Sequence, residues 1–218
     1  MSTTFTPRST MEMSKRVVQD IPEGAVVNLG IGRPMDIANH LPSDREIILQ
    51  SENGILGMGP LATGDEIDPE LVNAGKQNVT LLKGGSIFHH GDSFAMIRGG
   101  HIDICVLGAF QVSKTGDLAN WRTLDREAIP AVGGAMDLAY GAKQVFVVME
   151  HLTKDGHSKI VDACSYPLTG VGVVDRIYTD LATLQRTIAG LLVIDMVEGL
   201  SHEKLEELSN ITLIRNKK

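Results

Sequence analysis

Cysteine is scarce in this 218-residue chain: only Cys105 and Cys164 occur. Nothing in their placement supports a disulfide framework of the kind that staples small secreted domains. Cys105 sits inside the apolar run IDICVLGA, where a buried thiol is expected. Long hydrophobic runs are also missing. No window approaches the roughly 18 apolar residues of a membrane-crossing helix, so no membrane partner is expected. The opening residues, MSTTFTPRSTMEMSKR, are polar and lack an apolar core segment, which argues against an export signal and for a cytoplasmic protein. Positive charge is in short supply: the formal net charge is -7, which disfavours a nucleic-acid partner. A local basic pocket for an anionic ligand stays compatible with that average. Repeats, low-complexity tracts and linkers are absent. The chain therefore reads as a disordered segment, residues 1–9, followed by one domain over 10–218, large enough for a substantial core.

What is abundant is glycine, 23 residues, against an ordinary background of 43% hydrophobic and 22% charged residues. Clusters fall at Gly30 and Gly32, at Gly54, Gly57 and Gly59, and at the pairs 84–85, 99–100 and 133–134. Several follow apolar runs directly, where glycine lets a backbone approach a ligand closely. A helix is expected over 10–20, with Thr10 as a candidate cap. An apolar strand over 25–32 precedes a helix opened by Pro34. Strands follow at 46–50 and 79–82, with a short helix at 92–100. The runs 102–110 and 144–150 are apolar almost throughout, as suits strands covered on both faces. A hairpin turning at 188–190, a short helix SHEKLEELS and a last strand ITLIR complete the reading. These elements predict an α/β fold: an open, mainly parallel sheet with helices on both faces and an antiparallel C-terminal extension. Open α/β sheets bind ligands beyond the carboxyl ends of their strands.

One carboxylate falls at such a place. Glu52 lies just past the strand EIILQ, in a turn made with Asn53 and Gly54. A solvated turn residue is the ordinary reading of such a glutamate. The alternative is a general base or a nucleophile, which needs orientation and donors for the oxyanion it generates. The loop Gly133-Gly134-Ala135, ahead of Asp137, is a candidate donor loop. His89 and His90, with Asp92 nearby, raise the idea of a metal site, but adjacent histidines on an extended chain point to opposite faces, and no metal is expected.

The segment Leu49-Gln50-Ser51-Glu52-Asn53-Gly54-Ile55-Leu56-Gly57-Met58-Gly59-Pro60 resembles the signature of the B subunits of family I CoA-transferases. NLGIG (28–32), LVNAGKQ (71–77), SFAMIRGGHIDICVLGAFQVS (93–113), GDLANW (116–121), GGAMDL (133–138), MEHLTKDGHSKIV (149–161) and YPLTG (166–170) match the same family in the same order. The resemblance covers about residues 10–215. It implies that Glu52 attacks an acyl-CoA thioester and becomes joined to CoA in a ping-pong scheme, with the Gly134 N–H in the oxyanion hole. CoA is then substrate and transient covalent adduct, and neither a metal nor a redox cofactor is required.

Lower in weight, Asn28 could orient a carboxylate or the pantetheine arm, and Lys76 could meet a CoA phosphate or a substrate carboxylate. Gln50 and Asn53 flank Glu52, and Gly133 shares the donor loop. The family's A half is missing from this chain. The resemblance therefore implies a separate A subunit, as a heterotetramer of two A and two B, with acyl-CoA and small carboxylic acids as ligands. Phe88-His89-His90, Phe110, residues 129–132, Leu152-Thr153, Tyr166 and residues 176–182 are similar to the branch acting on 3-oxoadipate, with acetoacetate as runner-up acceptor. Two other classes compete: a non-catalytic assembly subunit, which an altered nucleophile would mark, and an α/β sugar-phosphate isomerase, whose acid–base set is not found.

Overall fold

The computed structural model describes residues 5–125, 127, 129–130 and 133–216. The first helix, α1 (Thr10–Gln19), begins with a reciprocal cap. Ser9 Oγ accepts from Glu12 N, and the Glu12 carboxylate accepts from Ser9 N. Ser9, not Thr10, is thus the cap residue, and a capping box of this kind satisfies two otherwise unpaired donors. Met13, Val17 and Val18, spaced along one face, are buried.

Nine strands form the main sheet: β1 (Val26–Leu29), β2 (Ile48–Ser51), β3 (Ile55–Leu61), β4 (Val79–Ile87), β5 (Ile104–Leu107), β8 (Gln144–Val148), β10 (Arg176–Tyr178), β11 (Ala182–Thr187) and β12 (Gly190–Met196). A small second sheet holds β6 (Gln111–Ser113), β7 (Leu118–Ala119) and β9 (Ile160–Val161). The main sheet runs β12-β11-β10-β8-β5-β1-β2-β3-β4. Its centre, β2-β1-β5-β8-β10, is parallel throughout. Helices α2 (His90–Arg98), α3 (Ala135–Gly141) and α4 (His202–Ser209) complete the α-helical elements.

The sheet separates two cores. Along β5, Ile104 and Val106 join Val17 and Val18 of α1, while Cys105 and Leu107 join Ile97, Leu138 and Leu205 from α2, α3 and α4. Successive side chains of a strand point to opposite faces, so a run buried on both faces must be apolar at every position. That is why 104–107 shows no polar alternation. Helices cover both faces, and an antiparallel hairpin, β11–β12, extends the C-terminal edge as expected.

Several expectations are corrected. The opposite edge is antiparallel too, since β3 folds back on β2 and β4 on β3. Gly57, Gly59, Gly84 and Gly85 therefore serve this hairpin and not a ligand loop. A Cβ on Gly57 would fall 2.9 Å from Gly85 Cα, and the register shifts between Leu56 and Met58. Residues 33–40 form a 3-10 helix, preceded by Gly32 at φ +92°, which has no side chain to cap it. The ITLIR segment contributes one bridge, Ile214 to Leu192, and not a strand. Of the segment expected to be disordered, residues 1–4 lie outside the described residues, but Phe5 packs on the core and Arg8 pairs with Asp195 at 2.5 Å. Of the 129–132 pattern, Ala131 and Val132 also lie outside them.

The β2–β3 connection is tightly packed. Gly54 stands at φ +115°, and a Cβ there would come within 2.0 Å of Phe88 O. Gly54→Ala should destabilise the protein by about 3 kcal/mol, combining positive-φ strain with a backbone collision. Urea unfolding with an unchanged midpoint would show that the turn does not need glycine.

Candidate active site

The turn Ser51–Gly54 is held from three directions. Gly54 N donates to Ser51 O at 2.9 Å, and Phe88 N donates to Gly54 O at 2.9 Å. Asn53 Nδ2 donates to Val72 O at 2.7 Å, and Ala74 N donates to Ser51 Oγ at 3.0 Å, tying the turn to the loop over 71–77. Beneath it runs a chain of buried side-chain hydrogen bonds. Asn28 Nδ2 donates to Gln50 Oε1 at 2.5 Å, and Gln50 Nε2 donates to Ser93 Oγ. Asn28, Gln50 and Ser93 are at most 1% exposed. Buried amides cost free energy unless paired, and here they link β1, β2 and α2 into one unit.

Glu52 projects from that platform into a cleft of about 600 Å³. The cleft opens over the carboxyl ends of parallel strands: Leu29 and Gly30 where β1 ends, Leu107 and Gly108 where β5 ends, Val148 and Met149 where β8 ends. Gly133, Gly134 and Ala135, at the start of α3, also line it. A Cβ on Gly134 would lie 2.8 Å from Glu52 Oε2 and 2.8 Å from Phe94 Cζ. Only glycine fits there while the carboxylate keeps its place. Gly133 takes φ +46°, which turns the chain into the helix.

The electrostatics separate Glu52 from an ordinary turn glutamate. Burial raises its pKa, and the negative charge of Asp137 raises it further, with no hydrogen bond to the carboxylate acting against them. Asp137 accepts from Arg98 Nε at 2.7 Å, so Arg98 is engaged outside the cleft lining. A partly desolvated carboxylate is a stronger base and a more available nucleophile than one surrounded by water.

The structure thus gathers Glu52, Gly133 and Gly134 in one cavity and sets Asn28 and Gln50 as a buried support. Asn53 secures the turn from outside. Lys76 does not reach the cleft lining: it is exposed at φ +62° in the Asn73–Gln77 turn, and Ala74 lines the cavity instead. The histidines differ from the extended-chain expectation. His89 caps α2, its Nδ1 accepting from Gly91 N at 3.0 Å, and His90 opens the helix, so the rings sit side by side with centroids 4.5 Å apart. Among the described residues no group of three or more His, Cys, Asp or Glu is arranged to hold a metal.

Three charged residues of the cleft carry no local sequence signal: Arg33, Glu150 and Lys159. Lys159 belongs to the quoted stretch 149–161, but nothing local distinguishes a cleft lysine from a solvated one. Phe94 was likewise hidden in an unremarkable short helix.

The family model "Coenzyme A transferase" matches residues 10–207. The B subunit of the 3-oxoadipate CoA-transferase of Acinetobacter baylyi is 60% identical over 203 residues, 93% of this chain and 94% of that protein. The B subunit of the succinyl-CoA:3-ketoacid coenzyme A transferase of Helicobacter pylori is 47% identical over 193 residues, 88% and 92% of the two chains. In fold, an acyl-CoA transferase of Escherichia coli O157:H7 superposes with a TM-score of 0.75 at 19% identity; the match covers 96% of this chain and 42% of the longer one. A mainly parallel sheet with a cleft at its carboxyl edge is an open α/β architecture. The chain belongs to the coenzyme A transferase family.

A carboxylate with a raised pKa takes up its proton at a higher pH than an ordinary glutamate. Activity that needs ionised Glu52 should therefore fall, as pH drops, at a pH above the usual glutamate value. Asp137→Asn removes one of the two causes, so the acid limb of kcat/KM should move to lower pH. An unmoved limb would show that Asp137 does not act on the titrating group.

Proposed function

We propose that this chain is the catalytic subunit of a CoA-transferase that moves CoA from succinyl-CoA to a 3-oxo acid, with 3-oxoadipate the favoured acceptor. The observation that carries the reading is the desolvated Glu52 carboxylate packed against the glycine backbone of residue 134 at the strand ends. The names of the relatives at 60% identity support the acid; those at 47%, named for 3-keto acids, keep acetoacetate as the competing acceptor.

The first step is attack of a Glu52 oxygen on the thioester carbonyl. The tetrahedral oxyanion is met by the backbone N–H of Gly134, where no side chain blocks the approach. Collapse expels CoA thiolate and leaves a mixed anhydride between succinate and Glu52. The thiolate then attacks the glutamyl carbonyl, succinate departs, and a glutamyl–CoA thioester remains. The acceptor acid reverses these steps: its carboxylate attacks the glutamyl thioester, and the thiolate returns to the new acyl group. No electrons are transferred overall, and CoA itself is the only group carried. Asn28 and Gln50 keep the turn in register, Asn53 anchors it, and Gly133 shapes the donor loop. Lys76, on the exposed turn beside the cleft lining, is assigned to the polyanionic end of CoA.

The partner is a separate A subunit, in a heterotetramer of two A and two B. The relatives are named as B subunits, and this chain spans 42% of a longer transferase of the same fold. A cytoplasmic location fits a chain in which no described helix is long and apolar enough to cross a membrane.

Glu52→Gln should lower transfer by about 10⁴-fold or more, since a carboxamide cannot replace a nucleophile. Glu52→Asp should cost about 10²-fold, because the shorter arm misplaces the attacking oxygen by roughly 1 Å. Incubating the assembled enzyme with acyl-CoA alone, then hydroxylamine, should leave a hydroxamate on the peptide carrying Ser51-Glu52-Asn53-Gly54. Near-normal turnover in Glu52→Gln, or no modified peptide, would exclude the covalent route. The purified chain alone should show little activity, restored on mixing with its A subunit.

A further inference from the structure

The cleft holds four charged side chains, and their pairing is uneven. Arg33 Nη2 donates to Glu150 Oε1 at 2.9 Å, and Arg33 Nη1 donates to Thr10 Oγ1 at 3.0 Å, so these two charges largely satisfy one another. That leaves Glu52 and Lys159. Lys159 is half-buried and lines the cavity, yet among the described residues its ammonium has no carboxylate within ion-pair distance. Burial pulls its pKa below the ordinary lysine range; Arg33 adds to that, while Glu150 and Asp180 oppose it. A cation held out of water without a bonded partner gains most from an anion that enters with the ligand. Its backbone is fixed on both sides: Lys159 N donates to His151 O at 2.9 Å, and Val112 N donates to Lys159 O at 3.0 Å.

We propose that Lys159 holds the remote carboxylate of a dicarboxylic acid in the cleft, and that this contact sets the preference for a diacid over a monocarboxylic 3-oxo acid. The proposal rests on the transferase reading above and names the group that selects its acid. Succinyl and 3-oxoadipyl groups each carry one free carboxylate, at different distances from the reacting carbonyl. The difference is two carbon–carbon bonds, about 2.5 Å when extended. A flexible lysine stem can follow both lengths, which a planar guanidinium fixed to Glu150 cannot. The charge count agrees: the thioester end is neutral where it meets anionic Glu52, and the free anionic end finds the cation of Lys159 in the same cleft.

The test compares acceptors that differ only at the remote end, 3-oxoadipate and 3-oxohexanoate, using this chain assembled with its A subunit. In ping-pong kinetics kcat/KM for the acceptor reports its own half-reaction. Lys159→Met keeps the stem and removes the charge. It should lower kcat/KM for 3-oxoadipate by about 10²-fold, mainly through KM, while 3-oxohexanoate changes by less than about threefold. Lys159→Arg should recover part of the loss for the diacid alone. Equal losses for both acids would overturn the proposal, because the lysine would then serve CoA or the fold. No loss for 3-oxoadipate would overturn it as well. Hydroxylamine trapping at Glu52 is run on the native enzyme in parallel. A trapped adduct with unchanged acid selectivity in Lys159→Met rejects the lysine assignment alone; absence of any adduct rejects the transferase mechanism and the lysine assignment with it.

Discussion

Glu52 and the backbone of residue 134 approach so closely that one added methyl group would strike both the carboxylate and the Phe94 ring. That contact constrains three elements at once. The β2–β3 turn must deliver the carboxylate, α2 must place Phe94 behind it, and α3 must begin with a residue that has no side chain. The buried chain Asn28–Gln50–Ser93 joins β1 and β2 to α2, fixing the end of β2 relative to α2. The Glu52 side of the site is therefore positioned by packed, paired interior groups.

The same closeness has a thermodynamic side. A carboxylate whose pKa is raised on folding binds its proton more tightly in the folded state. It therefore weakens the fold as pH rises through that raised value, and the penalty is gone below the ordinary glutamate range. At neutral pH Glu52 is a stored cost, offset by the two apolar cores on either side of the sheet. Functional groups held partly out of water commonly carry such a cost.

Much of this was legible in the residues, and the parts that were not share a cause. Strands 104–107 and 144–148 were readable because burial on both faces demands unbroken apolar runs. Glu52 was readable because a strand, a carboxylate and an Asn-Gly turn follow one another directly. The β3–β4 hairpin is not legible because Gly57, Gly59, Gly84 and Gly85 look locally like loop glycines, whereas Gly57 packs across the hairpin on Gly85 and Gly59 on Thr80 and Leu82. Residues 5–9 read as disordered because what holds them, the core under Phe5 and Asp195 beside Arg8, lies far along the chain. Lys159 and Arg33 were overlooked for a similar reason: a cation's place in a cleft depends on which strands end beside it.

The strand order carries a consequence for how the molecule comes into being. β1 lies between β2 and β5, and the parallel centre closes only when β10 joins β8, so residues from 26 to 178 must be brought together. Parallel pairings between distant segments are slow to form, since loop closure is unfavourable before the contacts offset it. The cleft draws on residues from Leu29 to Lys159 and can exist only after that closure. A ribosome-bound chain that has emerged through α3 already contains Glu52 and Gly134 but lacks β8 and Lys159. Binding competence thus arrives late in synthesis, and a truncated product keeps the signature motif without a working cavity.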